Sequence, residues 1–275
     1  MSDEPRDDIE QEESPAEEQE LVQPSGAAPV PAEDVGPAQF PKGFWRRIDY
    51  LLHHPHHITE SLKQDVGLWQ LAGIFFLISL AMSLLYGGVM GATNLLQGSG
   101  MSIGDKCLMI VSSALKVPVL YLVTLAIVFP PVYVSNAFVG ARLSIRQMLA
   151  LVLWALAVTV TVLASMATVA AFFSLTSRSY SFIKLLHVGV FAYAGLAGLS
   201  CLIRTLQRLL PTGMKTTPRP LLALWLILYI FVGTQMAWVL RPFVGSPNMR
   251  FQVFRPRQGN FYESVLDSVA DVFKD

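Results

Sequence analysis

The run Leu221–Leu240, LLALWLILYIFVGTQMAWVL, places 20 residues in line without a charge. As a helix it is about 30 Å long at 1.5 Å per residue, the thickness of a bilayer's hydrocarbon core. Lipid offers no partner to a backbone N–H or C=O, so a stretch like this has to satisfy its own hydrogen bonds, and a helix does so within one segment. Arg241 and Pro242 then end it, because a charge is costly in lipid and proline cannot extend the hydrogen-bond ladder. Four further apolar runs precede it. The expectation is an all-α, polytopic transmembrane bundle of about five spans, near residues 68–92, 108–136, 148–175, 182–203 and 221–240, forming a domain over 67–240. A chain with 53% hydrophobic and 15% charged residues and a mean hydropathy of +0.48 fits that class and not a water-soluble one.

The formal charge of zero conceals a division. Residues 1–40 hold 12 acids against the single base Arg6, while 41–275 hold 19 bases against 8 acids. The first 40 residues have no aromatic before Phe40 and are rich in Glu, Pro and Ala, which predicts a disordered acidic tail. It serves as a solvated spacer or as a lid over basic surfaces. No basic region followed by an apolar run opens the chain, so the first span is expected to act as the insertion signal. Cys107 and Cys201 both sit in apolar sequence and support neither a disulfide framework nor a thiolate metal site.

Between the tail and the first span, residues 41–66 carry helical periodicity. Phe44, Trp45, Ile48, Leu51 and Leu52 recur at helix spacing with Arg46, Arg47 and Asp49 on other faces, the pattern of a helix lying at the membrane interface. Ile58, Leu62 and Val66 continue a second such segment. His53, His54, His56 and His57 flank Pro55. Four imidazoles in five residues are either a metal-ligating group or an interfacial basic patch, and adjacent histidines on a helix point apart with no cysteine to complete a site.

In the spans, the informative residues are few. Lys116 is the cation inside span two, with no acid between Asp105 and Glu263; it contacts an anion or headgroup, or it snorkels to the nearer interface. Pro130 and Pro131 each remove a backbone donor, which predicts a kink in a long helix over about 106–136. Ser144 followed by Gln147 fits a capping box at the start of span three. Thr161, Ser165 and Thr168 make a hydroxyl stripe that bonds its own backbone or a neighbouring helix, or lines a polar path. Gly87 and Gly91, with Gly189, Gly195 and Gly198, offer close helix approach within the chain or self-association with other membrane proteins. His187 is expected to be structural. In the fifth span Gln235 is placed to bond a neighbouring helix, beside the terminating Arg241. In the tail over 241–275, Asn260 and Glu263 predict a capped amphipathic helix near 261–273, as a folded-back cap, a partner-docking element or a helix resting on the membrane.

Bases gather in the loops that share a side with the amino terminus, so that end is expected in the cytoplasm and the carboxyl terminus outside. An amphipathic lead-in with a proline (LLHHPHHITESLKQD, from Leu51), five clustered spans, and a Gly followed by Ser-x-x-Gln entering span three (GARLSIRQMLALVLWAL, from Gly140) together resemble the Yip1-like family of polytopic membrane proteins over residues 45–240. Trp154 and Ala155 stand where that family often shows Tyr-Ala followed by a proline. The soluble amino-terminal motif of eukaryotic members is not evident, so their small-GTPase interactions are not carried over. The resemblance implies the bacterial inner membrane, with a eukaryotic endomembrane as the alternative.

Three function classes follow. The first is a non-enzymatic bundle that binds the lipid bilayer and other membrane proteins. The second is a transporter or channel for an anion or lipid, using Lys116 and the Pro130/Pro131 kink. The third is an enzyme, for which the histidines lack carboxylate or nucleophile partners in any recognisable pattern. Nothing in the pattern calls for a cofactor or for nucleic acid.

Overall fold

A computed structural model describes residues 40–96, 102–139, 143–177, 179–209, 219–240 and 261–272, all within one compact unit, Val35–Asp275. The expected acidic tail over 1–40 lies outside the described residues except for Phe40, as do Arg241, Asn260 and the segment between them. Among the described residues the fold is helical throughout, with no strand. In chain order the helices are α1 (Phe44–His53), α2 (Pro55–Gln64), α3 (Leu68–Leu96), α4 (Ile103–Val139), α5 (Ile145–Ser165), α6 (Ala167–Thr176), α7 (Tyr180–Leu209), α8 (Arg219–Leu240) and α9 (Phe261–Val272).

Four segments are long and apolar enough to cross a membrane: Leu68–Thr93, Lys106–Val134, Ile145–Thr176 and Ser181–Leu209. They coincide with the first four expected spans. The fifth, α8, is 22 residues long and apolar over Leu226–Leu240. Neighbours in the bundle run α8, α4, α3, α5, α7, α9, with α5 the most buried and α7 presenting most of its surface outward.

Local chemistry explains where the helices begin and turn. Pro55 occupies the first turn of α2, where the N–H it lacks has no helical partner, and His54 serves as the joint between α1 and α2. The α2–α3 corner places Asp65 at φ 55 and Gly67 at φ 64, two left-handed positions two residues apart that turn the chain between the helices. At the start of α5 the capping box is complete: the Ser144 hydroxyl accepts from Gln147 N, and Ser144 N donates to Gln147 Oε1 at 2.8 Å.

One expectation changes, and the long second helix is as expected. The third span is not one helix, because it turns at Met166 between α5 and α6. There Ser165 Oγ donates to Val162 O at 2.7 Å, an i−3 bond that tightens the turn, and Met166 N is shared between the Val162 and Leu163 carbonyls. The second span continues as a single helix through three prolines, Pro118 as well as Pro130 and Pro131.

Helices α3 and α4 approach closely. A Cβ on Gly87 would sit 2.6 Å from Ser113 O and 2.9 Å from Ala114 Cα, and one on Gly91 would sit 2.7 Å from Ile110 Cα. Backbone therefore meets backbone, which only glycine permits. Gly198 does the same for α7 against Thr159 and the Ala155 carbonyl of α5.

Candidate functional site

Three places are candidates, and the first is the end of the bundle where α1 and α2 sit. Ile48, Leu51, Ile58 and Leu62 are buried in the main core, so these helices are seated on the bundle by their apolar faces. Phe44, Trp45 and Leu52 remain exposed. Gln147 Nε2 donates to Leu62 O at 2.8 Å and Arg146 meets Asp65 at 3.3 Å, which ties α2 to the start of α5. The four histidines go three ways, with only His54 and His57 in ring contact, 5.7 Å between centroids. His53 Nδ1 lies 3.0 Å from Asp49, His54 and His57 stack on Tyr50 with centroids 4.8 and 5.9 Å away, and His56 Nδ1 faces the Arg208 guanidinium at 3.4 Å. Among the described residues no group of three His, Cys, Asp or Glu side chains is close enough to hold a metal. Arg46, Arg146, Arg204 and Arg208 all present exposed guanidinium-bearing side chains at this end.

The second place is the core near the opposite end. Tyr86 on α3 and His187 on α7, each 1% exposed, are joined by a hydrogen bond of 2.8 Å between the phenol oxygen and Nδ1. Their rings meet edge to face, and Phe191 packs on Tyr86. His187 Nε2 is buried with no hydrogen-bond partner among the described residues. His187 is thus a packed, singly bonded member of the core, consistent with a structural part.

The third is a cavity between α4, α5, α7 and α8, enclosing about 700 Å³ of space that is partly open to the surroundings. Its wall is almost wholly apolar, with Leu125, Val128 and Val132 from α4, Val152 and Leu156 from α5, and Leu199 and Leu202 from α7. Tyr121, Phe129 and Tyr229 add aromatic rings, and Thr124 and Thr159 add hydroxyls. Thr159 Oγ1 donates to Ala155 O at 2.9 Å, whereas Thr124 Oγ1 is buried without a partner among the described residues. The arrangement can hold an apolar molecule and address one polar atom on it.

The residues singled out from sequence are scattered over these places. Lys116 is half-buried and Pro130 and Pro131 are exposed; none of the three lines the cavity. Lys116 and Pro130 are also 14 residues apart, about 21 Å along the helix. The hydroxyl stripe is divided by the turn at Met166. Thr161 is buried and bonds Ala157 O, while Ser165 and Thr168 are exposed. Gln235 is half-buried in α8. Sequence reasoning passed over Tyr86, Thr124, Tyr121, Tyr229 and Pro118, because a lone hydroxyl or ring in an apolar run gives no periodic signal.

Comparison of the chain with protein-family models, with curated proteins and with solved structures gave no match.

Proposed function

We propose that this is a five-span protein of the bacterial inner membrane, Yip1-like in its layout, with its amino terminus in the cytoplasm and its tail outside. It acts without catalysis, by binding other membrane proteins and organising lipid around its outer faces. The observation that carries this reading is an outward apolar stripe on α4. Leu108, Val111, Leu115, Val119, Val123, Ile127 and Val134 are all exposed and recur mostly every three or four residues. From Leu108 to Val134 the stripe runs about 39 Å, more than a hydrocarbon core, and a surface of this kind needs lipid or a partner against it.

Orientation is supported by charge. Arg46, Lys63, Arg146, Arg204 and Arg208 lie at the α1–α2 end, and the exposed Trp45 and Trp69 sit there at the level expected of interfacial rings. Partner contact has a surface available on α7, where Gly189 and Gly195 have open space around the position of a Cβ, unlike Gly87, Gly91 and Gly198, which are spent within the chain. Crosslinking of the full-length protein in native membranes is the test. A short, reproducible set of membrane partners is expected, and recovery of abundant background proteins alone would count against the proposal.

A further inference from the structure

We propose that the cavity between α4, α5, α7 and α8 binds a neutral, membrane-soluble ring ketone of the quinone class, whose carbonyl accepts a hydrogen bond from Thr124. The inference rests on the membrane-embedded reading above, because the molecules that reach an opening between transmembrane helices are those dissolved in the bilayer.

Thr124 is the feature that asks for a ligand. It is 4% exposed and lines the cavity, yet its hydroxyl has no hydrogen-bond partner among the described residues. Other helical threonines solve this problem locally: Thr59, Thr159, Thr161, Thr176 and Thr205 each donate to the carbonyl four residues earlier. A buried hydroxyl needs a partner, and a ligand carbonyl held in the cavity would supply one.

The rest of the wall sets the ligand's other properties. Among the described residues no charged side chain lines the cavity, so an ionised headgroup would lose its hydration without compensation. Tyr121, Phe129 and Tyr229 provide ring edges and faces suited to a flat ring. An alkyl chain would fill the space but leave Thr124 unsatisfied and gain nothing specific from the three rings. Thr124 also lies ten residues inside the Val134 end of the apolar segment, about 15 Å along the helix. That depth suits a ring carbonyl held within the hydrocarbon and is too deep for a glycerolipid ester at the interface.

The test uses the full-length protein in phosphatidylcholine nanodiscs, titrated with a decyl-substituted benzoquinone and read by quenching of tryptophan fluorescence; Trp154 lies on α5 between the lining residues Val152 and Ala155. Saturable quenching is expected. Thr124→Val keeps the shape, removes the donor and should weaken binding roughly two- to tenfold. Val152→Phe, which fills the cavity, should abolish saturation, and decanol, which lacks the ring, should not compete. Absence of saturation in the unmodified protein, equal affinity in Thr124→Val, or full competition by decanol would overturn the inference. Should Val152→Phe fail to fold, Thr124→Val still decides the matter. Carbonate extraction of the source membranes separates the two claims: release of the protein contradicts the membrane reading and this inference together, whereas retention without quinone binding contradicts this inference alone.

Discussion

Single atoms decide how closely α3 can approach α4. Gly91→Ala would bring a Cβ to 2.7 Å from Ile110 Cα, a backbone atom that cannot swing aside, so the helices have to separate. The expected cost is about 1–3 kcal/mol, read as a lower melting temperature in detergent. Gly73 has nothing within 4 Å of the same position, so Gly73→Ala should not destabilise the protein and should gain up to about 1 kcal/mol of helix propensity. The Tyr86–His187 bond makes a second case. Tyr86→Phe leaves the Nδ1 of a 1%-exposed imidazole unpaired, at a cost of about 1–3 kcal/mol. If the bond is the cause, Tyr86→Phe combined with His187→Leu costs less than the two changes added. The glycines were legible from their spacing in YGGVMGA. The tyrosine was not, because its partner lies 101 residues away and no local pattern points to it.

Among the elements, helix starts were the most legible and internal turns the least. A capping box is written in four adjacent residues, so Ser144 and Gln147 announced α5 before any packing was known. The break at Met166 has no glycine or proline beside it; it comes from a serine hydroxyl turned back on Val162, one of several rotamers open to Ser165. Gln147 carries more than a cap, since its amide also donates to Leu62 O and so anchors α2. Gln147→Ala loses both attachments, and Ser144→Ala loses only the cap, worth about 1 kcal/mol. Unfolding in mixed micelles should therefore show Gln147→Ala as the more destabilised of the two, with α2 released first under limited proteolysis. The predicted carboxy-terminal helix is present as α9, seated on α7, with Ser181 Oγ 3.4 Å from Asp271 and the Tyr262 hydroxyl 3.5 Å from Thr234. The helix packs against both α7 and α8.

For the whole molecule, the distribution of apolar and basic side chains sets where the protein resides. The stripe on α4 leaves hydrocarbon-like surface outside the bundle, and the bases gather at the end where α1 and α2 are clamped to α5. The presence of several long apolar helices could be read from the sequence because each is a response to one solvent, lipid. Which helix neighbours which could not, since apolar faces are nearly interchangeable until glycines such as Gly87 and Gly198 select a partner. The measurement that tests the account most directly is labelling of intact cells with a membrane-impermeant maleimide. Two single-cysteine forms are compared, one keeping Cys107 with Cys201→Ser, the other carrying Lys63→Cys with both native cysteines changed to Ser. Cys107 is exposed at the start of α4 and Lys63 is exposed at the end of α2, on opposite ends of the bundle. The account predicts that Cys107 is labelled in intact cells and that residue 63 is labelled only after the membrane is permeabilised. Labelling of both from the same side, or of residue 63 alone in intact cells, would contradict it.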